Sequence, residues 1–325
     1  MFSASVMELQ SPPLWNKTPK RRSICRRAAG SALEYFLPRE TIADVGGLEE
    51  LKRWLRLRAR SFSPEAIAYG LPPPRGILLL GIPGTGKSLT AKAIASLWKM
   101  ALLRLDAGAL FGSLVGQSEE NTRRALAIAE RVAPCILWID EVEKALSSGD
   151  RDGGTSMRVL GTILSWLQER RKPVFVVATA NDISRLPPEL LRRGRLDEIF
   201  FLDLPATEER RAIVEVHLRK RKRDPARFDV ESLVQASQGF VGAEIEQAIV
   251  DAMYAAFNDE QQPRRELGTA DVVAAMNRLV PLSRSQSERI AELRRWLDEG
   301  RARSASLPEV TATPSLGIPI SPRRL

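Results

Sequence analysis

The chain has 325 residues, 44% of them hydrophobic and 27% charged, with a formal net charge of +9. That is the balance of an ordinary globular protein with room for two domains. No apolar run is long enough to span a membrane, the start lacks the charged-then-apolar pattern of a secretory signal, and two cysteines, Cys25 and Cys135, with one histidine call for neither a disulfide nor a metal framework.

Residues 1–38 mix Pro, Ser and basic side chains without an apolar period and are expected to form a disordered tail. The tail is basic, with Lys17, Lys20, Arg21, Arg22, Arg26, Arg27 and Arg39 in the first forty residues. Such a tail suits an acidic partner, nucleic acid or an anionic surface, or is simply solvated. A helix is expected from Leu48, with Leu51 and Leu55 on one face. Ser63-Pro64 then caps a short second helix.

Next comes a buried strand, Gly76–Leu80, running into Gly81-Ile82-Pro83-Gly84-Thr85-Gly86-Lys87-Ser88. This is an uninterrupted G-x-x-x-x-G-K-[ST], the phosphate-binding loop of nucleoside triphosphatases. Its glycines let successive backbone N–H groups curl around phosphate oxygens with no Cβ in the way. Lys87 brings a compact charge to the β- and γ-phosphates. Ser88 offers a hydroxyl to Mg²⁺ and opens a helix, continued by Leu89, whose positive end faces the anion.

Four further strands are expected: Ala101–Leu105, Cys135–Ile139, Val174–Ala178 and Glu198–Leu202. Helical stretches separate the first four strands, so the sheet is parallel and built from right-handed crossovers. Its ligand should bind at the carboxyl edge. The chemistry falls there. Asp140, at the end of an apolar run, is placed to hold Mg²⁺, and the adjacent Glu141 to polarise a water in line with the γ-phosphate. Asn181, closing another buried strand, can hold that water and sense the phosphate. Residues 147–155 read as a flexible loop. In Leu190-Leu191-Arg192-Arg193-Gly194-Arg195, Arg192 and Arg195 form either a solvated basic patch or fingers that reach a neighbour's nucleotide.

Beyond Pro205 the pattern is all helical. Ile213 and His217 lie four apart on one helical face. That helix ends in the basic run Arg219–Arg223, which suits its dipole. Ile245, Ala248, Ile249, Ala252, Met253 and Ala256 make a stripe that packs on a core. Residues 283–304 read as one more charged helix, and order is expected to end beyond Ala305.

Together these segments make the chain resemble AAA-type ATPases of the AAA+ superfamily over residues 40–282. Lys87, Ser88, Asp140, Glu141 and Asn181 match the two nucleotide motifs and the first sensor. Asn181 to Asp197 resembles the second region of homology, in which arginines matching Arg192 and Arg195 act in trans. Gly239 to Ile245 resembles the lid motif of the branch that has Gly-Ala, here Gly242-Ala243, where others carry a sensor arginine. Asp44-Val45-Gly46-Gly47-Leu48 resembles the segment that lies against the adenine, and the resemblance implies that Ile213 and His217 lie against base and ribose. The runs Arg75–Ala95, Ala133–Lys144 and Phe175–Pro205 resemble small AAA-domain proteins of cyanobacteria and plastids, which carry a further N-terminal region.

The resemblance implies an α/β P-loop NTPase core over residues 39–205, with a C-terminal all-α lid over 206–282. It implies ATP and Mg²⁺ as ligands and a homo-oligomeric ring, a hexamer, in the cytoplasm or the plastid stroma. Members that thread polypeptide carry an aromatic-apolar-glycine pore loop, where this chain reads Leu114-Val115-Gly116. Three readings of function follow: a remodeller of an unknown protein partner, a regulatory nucleotide switch or scaffold with slow turnover, and a nucleic-acid-associated ATPase. Nothing in the sequence supports specific nucleic-acid reading.

Overall fold

The structure is a computed structural model that describes residues 33–106, 117–143, 155–182, 184, 186–192 and 194–307. The loop at Leu114, the 147–154 segment, most of the basic tail and residues 308–325 lie outside the described residues.

One seven-stranded sheet organises the chain. Its strands are β1 (Leu33–Phe36), β2 (Gly76–Gly81), β3 (Ala101–Leu105), β4 (Cys135–Ile139), β5 (Val174–Ala180), β6 (Glu198–Leu202) and β7 (Arg303–Ser304). Their spatial order is β1-β3-β4-β5-β2-β6-β7. The five expected strands pair in parallel, with Leu78 opposite Ala178 and Leu137 opposite Val176. β2, β4 and β5 are buried along their whole length, as the continuous apolar runs require.

Two strands correct the sequence reading. β1 pairs antiparallel with β3 and lies inside the stretch expected to be a disordered tail. The expected helix 283–304 is instead α10 (Leu282–Ser285), α11 (Ser287–Asp298) and β7, which pairs with β6. Ala305, at the expected limit of order, is fully buried.

Helices cover both faces of the sheet. On one side α1 (Glu49–Arg58) and α3 (Lys87–Leu97) pack Leu51, Trp54, Leu55 and Ile94 against Ile77, Leu79, Phe175 and Phe200. On the other, α4 (Gln117–Val132) and α5 (Thr155–Glu169) set Leu126, Ala129, Ile163 and Leu167 against Leu78, Leu137 and Val176. The short α2 (Pro64–Ala68) starts at Ser63, whose hydroxyl accepts from the Ala66 N–H as a cap.

From Thr207 the chain is helical: α6 (Thr207–Lys220), α7 (Val230–Ala236), α8 (Gly242–Phe257) and α9 (Thr269–Arg278). They enclose a separate apolar cluster that includes Val214, Leu233, Phe240 and Met276. The stripe on α8 faces inward, with Ile245, Ala248, Ile249 and Ala252 buried.

Strand order sets the site. β5 lies between β2, which feeds the phosphate loop, and β4, which ends at Asp140. The carboxyl ends of all three therefore open side by side.

Candidate nucleotide site

The loop after β2 requires glycine where its backbone leaves ordinary conformations. Gly84 has φ +82°, and a Cβ there would meet Val241 Cγ2 at 2.7 Å. Gly81 runs so close to β6 that a Cβ would lie 2.1 Å from the Leu202 carbonyl oxygen. Gly86, at φ +93°, leads into α3, whose first N–H groups have no acceptor within the helix. Thr85 Oγ1 donates to the Ile82 carbonyl at 2.8 Å and closes the loop on itself.

Lys87 opens α3 and is 7% exposed. Its Nζ donates to the carbonyls of Gly81 and Ile82 at 2.9 and 2.8 Å. Burial pushes its pKa down to about 8, against the pull of Glu143, Glu141 and Asp140. An ammonium held by neutral carbonyls in a poorly solvated place favours an anion beside it.

The ends of β4 and β5 meet this loop. Asp140 Oδ1 accepts from Thr179 Oγ1 at 2.7 Å and from Ser88 Oγ at 3.3 Å. Thr179 Oγ1 also accepts from the Glu141 N–H at 2.9 Å. Glu141 has φ +49°, a left-handed conformation uncommon for a residue with a side chain and one that clusters at functional sites. Its Oε1 accepts from Asn181 Nδ2 at 3.1 Å, and Glu143 Oε1 accepts from the Asn181 N–H at 2.9 Å. Burial raises the Glu143 pKa, opposed by its hydrogen bond from Asn181.

A cleft of about 480 Å³ runs from these groups toward the C-terminal helices. That volume lies within the range of small-molecule sites. Asp44, Val45 and Gly46 form one wall, Ile213 and His217 of α6 another, and Gly242 and Ala243 of α8 a third. The walls are close. A Cβ on Gly46 would meet Ile213 Cγ1 at 2.6 Å, and the Ala243 N–H donates to the Gly84 carbonyl at 3.1 Å.

His217 is 7% exposed, and burial lowers its pKa to about 4 although Glu246 opposes this. Glu246 Oε1 lies 3.5 Å from His217 Nδ1 and 2.9 Å from Arg221, and Lys220 lies 3.4 Å from Asp44. The basic run at the end of α6 is thus largely spent on neighbouring carboxylates.

All but Gly81 of the residues expected from sequence at the phosphates, the metal and the base line this cleft, from Asp44 through Pro83–Leu89, Asp140, Glu141 and Asn181 to Ala243. Gly81 meets it through its carbonyl on Lys87. Arg192 and Arg195 do not. Arg195 Nη1 donates to the Glu189 carbonyl, and Arg192 lines a different cleft with Asp197, Trp296 and Arg301. Asp197 binds the N–H groups of Arg75 and Gly76 at the start of β2, the edge of the sheet opposite Lys87.

Sequence reasoning missed Thr179, Glu143, Val216, Lys220 and Glu246. Thr179 carried a signal, since it is a hydroxyl residue two positions before Asn181, at the carboxyl end of β5. Val216 and Lys220 follow Ile213 at helical spacing.

The donors at Ser88 and Asp140 are hard oxygens, the kind Mg²⁺ takes, and Mg²⁺ is ordinarily held by one or two protein ligands plus phosphate. The cradle at Gly84 and Gly86, with Lys87 beneath it, has the shape and sign for a polyphosphate.

Comparison with known proteins agrees with this geometry. Residues 77–204 match the family model described as ATPase family associated with various cellular activities (AAA). The AAA domain-containing protein ycf46 of Pyropia yezoensis is 52% identical over 278 residues, covering 85% of this chain and 56% of the relative. The chain thus spans about half the length of that curated relative. The proteasome-activating nucleotidase of Saccharolobus solfataricus is 34% identical over 267 residues, covering 79% of this chain and 66% of the relative. Among solved structures, the crystal structure of the FIGL-1 AAA domain has the same fold, with a TM-score of 0.69 at 22% identity over 90% of this chain and 99% of that one. The phosphate loop, the acidic strand end and the helical C-terminal region are those of an AAA protein, and the chain belongs to the AAA family of ATPases.

Proposed function

We propose that this chain hydrolyses Mg-ATP in the cleft between the sheet and the C-terminal helices, and that it does so within a ring whose changes of shape remodel a protein partner. One observation carries the reading. Lys87, the Ser88–Asp140 pair and the Glu141–Asn181 pair converge at a single cleft, with the apolar and histidine-lined end of that cleft turned away from them.

The triphosphate lies on the N–H groups at the start of α3, with Lys87 beside its β- and γ-phosphates. Ser88 and Asp140 would hold Mg²⁺, which would supply charge neutralisation at the phosphate oxygens. Thr179 orients Asp140. Glu141 takes a proton from the attacking water, and Asn181 fixes both Glu141 and that water. The base lies between Val45, Gly46, Ile213 and His217. Arg192 and Arg195, at the far edge of their own sheet, stabilise transition-state charge in a neighbouring chain.

Remodelling is supported by family membership and by similarity to a proteasome-activating nucleotidase. Phosphate release should be Mg²⁺-dependent, absent in Lys87→Ala, and stimulated by a denatured polypeptide. No release at concentrations where sedimentation shows assembly would refute the hydrolase reading. Slow release indifferent to polypeptide would leave a nucleotide switch, and stimulation by DNA or RNA alone would point to the third reading.

A further inference from the structure

The segment after α9 is a strap. At one end the Leu282 N–H donates to Glu244 Oε1 of α8 at 2.7 Å. Glu244 also caps α8 through the Val241 N–H, one residue before Gly242 in the cleft wall. At the other end β7 pairs with β6, the Ala305 N–H donates to the Phe201 carbonyl at 2.9 Å, and the Leu51 N–H donates to the Ala305 carbonyl at 3.1 Å. Between these anchors α11 buries Ile290 and Leu293 in the core beneath the sheet, and Arg294 holds Asp203 at 2.9 Å.

One side chain of the strap reaches the chemistry. Arg289 Nη2 donates to the Asn181 carbonyl at 3.4 Å. Asn181 is the residue whose amide holds Glu141 and whose N–H binds Glu143. Arg289 is also near enough to Lys87 to act on its ammonium by charge. It approaches Asn181 from the carbonyl side rather than through the cleft, on a helix whose two ends are fixed to different parts of the molecule.

We propose that Arg289 is a positioning residue for the Glu141–Asn181 pair, carried on a strap that joins the helical region to the sheet. A guanidinium on the Asn181 carbonyl fixes the plane of that peptide, and with it the direction of the amide that holds Glu141. A shift of α8 pulls Leu282 through Glu244, and α11 passes the displacement to Arg289. The state of the helical region is thereby registered at the acid that activates water.

This rests on the reading of the cleft as an ATPase site, and the test separates the two. Steady-state hydrolysis is measured for the full chain and for Arg289→Ala, Arg289→Lys and Arg295→Ala. Arg295, exposed on the same helix, is the control. Arg289→Ala should lower kcat by about tenfold with KM for ATP within about threefold, because ground-state binding is left intact. Arg289→Lys keeps a charged donor and should recover most of the rate, and Arg295→Ala should match the parent. The thermal midpoint of Arg289→Ala should stay within about 2 °C of the parent, as an exposed single contact allows. An unchanged kcat in Arg289→Ala overturns the proposal, as does a loss that follows KM or the thermal midpoint, or one that lysine fails to restore. A parent that releases no phosphate refutes the ATPase reading itself and takes this inference with it.

Discussion

Asn181 Nδ2 donates to Glu141 Oε1 at 3.1 Å, joining the ends of two adjacent parallel strands. The contact orients the carboxylate. The Glu141 side chain is thereby positioned by the residue that directly follows β5, while its backbone, in the left-handed region, donates its N–H to Thr179 Oγ1.

Glu141→Gln tests this arrangement. The amide keeps the shape of the side chain and leaves Ser88 and Asp140 untouched, but it cannot take a proton from water. ATP affinity should stay within a few-fold while hydrolysis falls by roughly a hundredfold or more, the scale of a positioned general base. Nucleotide titration and phosphate release on the same preparation separate the two effects. Turnover close to the parent's would remove Glu141 from its role.

The pH dependence of stability tests the base end of the cleft. The unfolded chain protonates His217 near pH 6.5, the folded chain only near pH 4, because burial disfavours the imidazolium. Between those values unfolding takes up a proton, so stability falls as pH drops from 6.5 to 4. Asp44 and Glu246 act in the same direction. Burial pushes both carboxyls up, but hydrogen bonds from Thr41 to Asp44 and from Arg221 to Glu246 hold them below their ordinary range. Their stabilisation is lost as they protonate in acid. His217→Gln should therefore flatten the fall in urea midpoint between pH 6.5 and 4.5 without abolishing it. Equal slopes in parent and variant would mean that His217 titrates normally in the folded chain.

Much of this was legible in the sequence because the chemistry is written locally. Positive φ at Gly84 and Gly86 needs glycine, a strand buried on both faces needs an unbroken apolar run, and acids at its end need only adjacency. Ile213 and His217 were legible by helical spacing. The strap was not. β7 has two residues, exists only through pairing with β6, and carries no period. Its neighbours, rich in Arg and Glu, read as one continuous helix, whereas the chain breaks at Gln286 between α10 and α11 and at Gly300, with φ +71°. Glu143 was hidden for a similar reason. It is two residues beyond Glu141, and only the fold shows it buried on the Asn181 N–H.

The position of the arginines carries the last prediction, that the active site is completed between chains. Arg195 is committed to the Glu189 carbonyl near the start of β2, and Arg192 lines a cleft at that same edge. Lys87, Asp140 and Glu141 lie at the opposite edge. Neither arginine lines the nucleotide cleft of its own chain, so a role at the γ-phosphate requires a neighbour. A guanidinium supplied to that phosphate is worth about three to five orders of magnitude in other phosphoryl-transfer enzymes. A lone chain should therefore bind ATP through Lys87 yet hydrolyse it slowly, and specific activity should climb with protein concentration. Arg195→Ala should bind ATP normally and stay slow at every concentration. Lys87→Ala should be inactive alone. Mixing the two should restore part of the turnover, because the Lys87 variant lends its arginines to the intact cleft of its partner. Phosphate release across a titration of each protein and of the mixture, with sedimentation in parallel, decides the matter. Full activity in a protein that sediments as a monomer would sink the shared-site arrangement.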